Sequence, residues 1–369
     1  MFCLGFALFA VVLLLLAPAA VRAADPLLPD ATGPRVRVVT VYDPDATEAF
    51  HARPEVIKGM VRCGLTNLTG RATPAEAMRS LVSTQDVVGI KVYCRPGPNS
   101  GTRPSVVAGI VEALLAAGLP PRNIVIWDKQ ADDLRLAGFL ALGARYGVRV
   151  AGSAQSGSDS TNFYDNPIIG DLVWGDYEFE KKGAGVGRKS FVSNLVSHDL
   201  TRIINVTPLL NHNTAGVTGN LYSLAAGSVD NFNRFEMDPA RMARAVPEIY
   251  AMASLSDKVV LNVTDAVLCQ YEGSEQSLLH YSTALNELRF SRDPVALDTL
   301  SLKDLEKQRQ LAGAPSVTPN TDLYNNAVLL ELGVNDLKRI ENQRIKLAGS
   351  PAGWGAVGND APSPASVLR

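Results

Sequence analysis

This sequence predicts an α/β protein, with a mostly parallel sheet covered by helices and a β-rich excursion near residues 153–190. Three observations carry the prediction. Short β-branched runs, VRVVTVY at 36–42, DVVGIKVY at 86–93 and NIVIW at 123–127, alternate with segments of helical spacing. Each run is apolar almost throughout, as strands buried on both faces are. With 369 residues, 46% hydrophobic and 20% charged, the chain has an ordinary globular composition and length enough for a large core.

Ahead of the first strand, residues 2–21 are apolar and lead into Val21-Arg22-Ala23, a small-residue pattern suited to cleavage before Ala24. Residues 1–23 are therefore expected to be a secretory signal peptide, and the mature protein to be exported, periplasmic or extracellular. The competing reading is an uncleaved anchor, which would be the only membrane contact. No twin-arginine pair precedes the run, which points to the general secretory route. A net charge of −2 and the lack of any Lys/Arg cluster interleaved with aromatics argue against nucleic acid as a partner. After cleavage three cysteines remain, Cys63, Cys94 and Cys269, allowing at most one disulfide. There is no CxxC pair, so no iron–sulfur cluster is expected.

Taken in order, the first strand at 36–42 is followed by a predicted helix over Ala46–Leu68 and another over Pro74–Val82, capped by Thr73 with Pro74 in its first turn. The strand over 86–93 contains Lys91, costly there unless paired or reaching a site. A Gly/Pro-rich loop, CRPGPNSGTRP, then feeds an amphipathic helix, a junction that offers backbone N–H groups to an anion. NIVIW stops on Asp128 and Lys129, helical spacing resumes over ADDLRLAGFLALGARYGV, and GVRVAG forms the next strand. Within the excursion, DLVWGDYEFE reads as a strand. GAGVGRKS imitates a phosphate-binding P-loop, but Arg188 stands where glycine is required, so a hairpin loop is expected. The stretch from Thr201 to Gly227 opens from a short strand into a polar loop holding Asn211, His212, Asn213, Thr214 and Thr218. A helix over Asp238–Ser254 and a strand over Lys258–Thr264 ending on Asp265 follow. Pro294 then starts a helix capped by Asp293, with Asp298 one turn further in.

The series DVVGIKVYC, the loop and helix from Gly101, NIVIWDK, IINVTPLLNHNTAGVTGNL, GSVDN and DPVALD, in that order and spacing, resembles exported members of the domain of unknown function 362 family. The resemblance runs roughly from Val36 to Arg339. It implies an α/β domain over 34–315 with no assigned reaction, in a family sometimes fused to iron–sulfur modules and so associated with redox chemistry; this chain is expected to lack that module. It also departs from the family's pattern. Leu210 stands where a lysine usually precedes the histidine, and Tyr222-Ser223 stand where Lys-Asn usually follows Gly-Val-Thr-Gly. If those lysines hold an anion or act in chemistry, this chain is a diverged member. Residues 316–345 are expected as a C-terminal helical extension and 346–369 as a disordered tail.

The candidate site gathers residues at strand carboxyl ends. His212 is read either as a satisfied structural histidine or as a metal ligand or general acid/base. Lys91 holds an anionic group, with Asp128 as its partner, and these three are the candidate catalytic residues. Asn211, Asn213, Thr214, Thr218, Thr102 and Asp265 are the candidate ligand-binding residues. His212, Asp128 and Asp265 together would suit a divalent metal, although strand-end aspartates also cap helices. Two functions stay open. One is an exported redox or metal-dependent enzyme on a small anionic substrate; the other is a non-catalytic protein that binds an anion or metal.

Overall fold

Strand β1 (Val36–Tyr42) forms where predicted, its Val38–Val41 stretch buried. The computed structural model describes residues 33, 35–167, 186–236, 238–274 and 276–348. The expected signal peptide, DLVWGDYEFE, residues 183–185 and the expected tail from residue 349 lie outside the described residues. Contacts divide the chain into Met1–Gly33 and Pro34–Arg369, and every helix and strand among the described residues belongs to the second unit. Among the described residues no helix is long and apolar enough to cross a membrane.

After β1 the structure departs from the expected helix over 46–68. Thr47–Glu48 (β2) and His51–Ala52 (β3) form a small hairpin, and α1 starts only at Pro54 and runs to Thr69. Ala49 and Phe50 sit at positive φ, 47° and 66°, a turn that no helix can contain. Helix α2 (Pro74–Arg79) has the predicted Thr73 cap as a full capping box with Glu76. Then come β4 (Val88–Lys91), α3 (Pro104–Ala116), β5 (Ile124–Asp128), α4 (Ala131–Leu136), α5 (Phe139–Tyr146) and β6 (Arg149–Gly152). Gly138, left-handed at φ 86°, splits α4 from α5, where the sequence read one helix. Strands β7 (Ser158–Asp165) and β8 (Lys189–Ser193) pair antiparallel, which is the β-rich excursion. A strand, not a helix, follows GAGVGR, so the P-loop arrangement is not met.

The remaining elements are β9 (Arg202–His212), β10 (Gly216–Val217), α6 (Asn220–Ser228), α7 (Pro239–Tyr250), α8 (Ala253–Ser256), β11 (Val259–Gln270), β12 (Ser282–Ser291), α9 (Pro294–Ala312), α10 (Thr321–Leu329) and β13 (Ile340–Lys346). Three expectations change here. Asn211 and His212 belong to strand β9, paired with β10, rather than to an open loop. Asp265 lies inside β11, not at its end. The C-terminal extension is one helix followed by a strand, because β13 pairs in parallel with β1.

The sheet runs β13-β1-β12-β11-β9-β4-β5-β6, with β10 on β9. From β11 to β6 every pair is parallel. On one face α1, α3 and α5 bury Ile57, Met60, Ile110, Leu114 and Phe139 against Ile90, Ile126, Val206 and Val263. On the other, α6, α7, α9 and α10 bury Leu224, Val246, Leu305 and Leu323 with Trp127 and Ile203. Strands β4, β5 and β6 succeed one another in one direction, whereas β9 returns to the other side of β4 and β11 follows beside it. Strand order therefore reverses between β4 and β9, where open α/β sheets take their ligands beyond the carboxyl ends.

Candidate functional site

Lys91 closes β4 at that reversal and is fully buried. Its ammonium donates to Asp128 Oδ1 at 2.8 Å, to the Val92 carbonyl at 2.5 Å and to Ser223 Oγ at 3.1 Å. The rings of Tyr93 and Trp127 flank it, with centroids 5.8 and 5.5 Å away. An ammonium has three protons and all three are committed. Lys91 therefore cannot donate directly to a bound anion, as the sequence suggested; it acts by holding Asp128 and Ser223 and through its charge. Helix α6 reaches it because residue 227 is glycine, where a Cβ would stand 2.2 Å from Lys91 Cε.

Asp128, at the end of β5, has a second task. Its Oδ1 also accepts from the Lys129 backbone N–H at 2.8 Å, and Oδ2 accepts from that of Cys94 at 2.7 Å. The carboxylate thus ties together the two loops that leave β4 and β5. Burial pushes the Cys94 thiol well above its ordinary range, which marks it as an inert packed thiol.

His212 lies across α6 from this pair and is buried at 5% exposure. Its Nδ1 accepts from the backbone N–H groups of Thr214, at 3.2 Å, and Ala215, at 3.0 Å. Nδ1 therefore carries the lone pair, and the neutral ring keeps its proton on Nε2, which faces Glu236 Oε2 at 3.6 Å. The Tyr222 ring packs on the imidazole with centroids 4.2 Å apart, and its hydroxyl donates to Glu236 Oε1 at 2.7 Å. Burial pushes the Glu236 carboxyl up, but the His212 and Tyr222 hydrogen bonds and the charge of Lys129 outweigh it and hold the group below its ordinary value. Glu236 had no signal in the sequence: it follows a short 3₁₀ turn and reaches His212 only through the fold. Since His212 is buried with both nitrogens engaged, it carries structural weight beyond that of a loop residue.

Lys129 connects the two groups. It acts on Glu236 from one side, and on the other it lines a narrow cavity with Ser153, Ser158, Ser193 and Asp230. The cavity has a volume of about 10 Å³, about the room one water needs and far below the roughly 300–1,000 Å³ of sites for drug-sized ligands. As it stands it has room for a single water.

The other predicted residues are placed elsewhere. Asp265 binds Arg103 at Nη1 (2.9 Å) and at its backbone N–H (3.0 Å). Thr102 accepts from the Tyr93 N–H and donates to the Val206 carbonyl. Both pin the loop after β4 across β9 and β11. Asn211 accepts from the Ser274 N–H and donates to Asn213, which is exposed; Thr214 donates to the Glu236 carbonyl. Thr218 is fully buried beside α6. His212, Asp128 and Asp265 are thus held by three different partners. Among the described residues no group of three or more His, Cys, Asp and Glu side chains is arranged to share a metal ion, so the metal set expected from the sequence does not fit.

The profile of the family described as Domain of unknown function (DUF362) matches residues 88–303, the span that contains β4, α6, Glu236 and the start of α9. No curated protein matches the chain. Among solved structures, a structural-genomics crystal structure of a protein from Thermotoga maritima matches at 13% identity with a TM-score of 0.39, covering 72% of this chain and 60% of that one. This chain therefore spans less than two thirds of that protein's length.

Proposed function

Because the chain belongs to the Domain of unknown function (DUF362) family, we propose its function from the site alone: it binds a small polar molecule, anionic ones foremost, beyond the carboxyl ends of β4, β5 and β9. The observation that carries this is the buried Lys91–Asp128 pair at the reversal of strand order. Such a pair adds little net stability over well-packed apolar residues, and its place coincides with the usual ligand position of open α/β sheets. Lys129 is the ammonium at the narrow cavity, and Lys91 and Asp128 fix the loops around it. We further propose export through residues 1–23.

The test is thermal unfolding in inorganic phosphate or acetate against chloride at matched ionic strength. A concentration-dependent rise in Tm that is lost in Lys129→Met supports the reading. Equal Tm in all three salts sinks it. Intact mass of exported material, expected to begin at Ala24, tests the signal separately.

One observation favours turnover as a second reading. Tyr222, Glu236 and His212 form a connected chain of proton donors and acceptors beside Lys129, the kind of arrangement that general acid–base chemistry uses. A redox reaction, suggested by family association, has no such geometric support.

A further inference from the structure

Strands β9 and β11 carry the same triplet, Asn205-Val206-Thr207 and Asn262-Val263-Thr264, and their parallel pairing sets asparagine against asparagine and threonine against threonine. Side chains alternate along a strand, so the two valines enter the core under α1 and α3 while the four polar side chains face α6 and α9. Thr218 and Asn220, at the start of α6, and Asp298, on α9, close the group into a box. All seven residues are at most 1% exposed.

Within the box Asp298 accepts from the Asn220 and Leu221 backbone N–H groups at 2.6 and 3.0 Å, and from Asn220 Nδ2 at 3.0 Å. Residue 219 must be glycine for this, since it sits at φ 42° with the carboxylate carbon 2.6 Å from where a Cβ would be. Asp298 has no cationic partner among the described residues. Asn220 Nδ2 also reaches Thr264 Oγ1, and Asn205 Nδ2 donates to the Asn220 carbonyl. Three buried oxygens are left with no hydrogen bond: Asn205 Oδ1, Thr207 Oγ1 and Thr218 Oγ1. An unpaired buried polar group is expensive, and all three belong to this buried group, which supplies hard oxygen donors besides its one carboxylate. Such donors suit alkali and alkaline-earth ions rather than soft transition metals. The box carries one negative charge, which one positive charge balances.

We propose that the Asn205–Thr207–Thr218–Asp298 box binds a dehydrated monovalent alkali cation of sodium size, which locks the start of α6 onto β9 and β11. This site is independent of the anion site at Lys129 and uses none of its residues.

The experiment is thermal unfolding of the full protein at constant ionic strength, with tetramethylammonium chloride replaced stepwise by sodium or potassium chloride. Tm rises with the logarithm of sodium concentration once that exceeds the dissociation constant, as mass action requires, and less with potassium. Thr207→Val and Thr218→Val keep the shape of the side chain and remove one oxygen. Each folds and moves the sodium concentration at which the rise sets in upward by roughly tenfold. Asp298→Asn removes the response. If Asp298→Asn does not fold, the two threonine variants decide alone. Identical Tm in sodium and tetramethylammonium overturns the site and leaves ordered water as the filling of the box. So does a sodium response unchanged in both threonine variants.

Discussion

Helix α6 covers two polar groups that lie side by side on the sheet and handle charge in opposite ways. Parallel pairing puts Lys91, Asn205 and Asn262 in one row across β4, β9 and β11. At one end a buried cation meets a buried anion, Lys91 with Asp128. At the other, Asp298 is met only by neutral donors. The contrast teaches that burial of charge under one helix needs either an opposite charge or a set of aligned N–H groups. Mutation separates the two cases, because deleting a partner in the first strands an ion and in the second removes a hydrogen bond.

The largest effect is expected where an ion is stranded. Lys91→Met leaves Asp128 buried without its ammonium and should cost about 3–5 kcal/mol, measured as a shift in urea midpoint at constant m. The double change Lys91→Met with Asp128→Leu should recover a large part of that. If the single variant loses no more than a surface substitution would, the pair is not energetically coupled and the contrast with Asp298 collapses.

Next comes pH. Burial pushes the Asp298 and Asp293 carboxyls up to about 6. Asp293, besides capping α9, accepts from the Val334 N–H. For a carboxyl raised on folding, the stabilising contribution is fully present below the unfolded value near 4 and is lost as pH rises through about 6. Each raised group therefore favours the folded state toward acid by at most about 3 kcal/mol. Asp293→Asn, which keeps the cap, should flatten the dependence of unfolding free energy between pH 4 and 6. An unchanged slope would mean that the Asp293 carboxyl is not perturbed. Smaller again is Gly227→Ala, where the new methyl meets Lys91 Cε and overpacking costs about 1–3 kcal/mol. Gly59→Ala, also inside a helix and with nothing near the added methyl, is the control without overpacking.

Part of this was legible in the sequence. The strand carrying Lys91 and its pairing with Asp128 followed from one rule, that a lysine in an apolar strand needs a partner, and β1 and the Thr73 cap followed from local chemistry. His212 was placed in a loop because polar residues signal exposure, yet Asn211 and His212 extend β9 and are buried by β10 and Tyr222. Asp265 was placed at a strand end for the same reason. Strand β13, IENQRIK, was missed because an edge strand need not be apolar and its partner β1 lies at the other end of the domain. The Asn-x-Thr repeat was visible in the letters, but its meaning depends on β9 and β11 lying in register, which no local pattern reveals. Glu236 had no sequence signal at all.

The smallest expected effect sharpens the comparison most, because Tyr222 belongs to the helix that covers both groups. Tyr222→Phe removes only the hydroxyl that donates to Glu236, while the ring keeps its contacts with His212 and Phe232. Glu236 retains His212 and the charge of Lys129, so the loss at neutral pH should be that of one hydrogen bond to a charged group, about 1–3 kcal/mol and at the lower end. The pH dependence has a definite sign. Glu236 is held below its ordinary value, so its contribution is present above the unfolded value and is lost as pH falls through the folded one. Without the Tyr222 donor that depression shrinks, and Tyr222→Phe should lose less stability on acidification than the native chain does. Urea midpoints of both proteins at neutral and acid pH measure this directly. If Tyr222→Phe costs as much as Lys91→Met, then the Glu236 group depends on its donor as an ion pair depends on its partner. The division between a region of paired ions and a region of neutral donors would then be drawn in the wrong place.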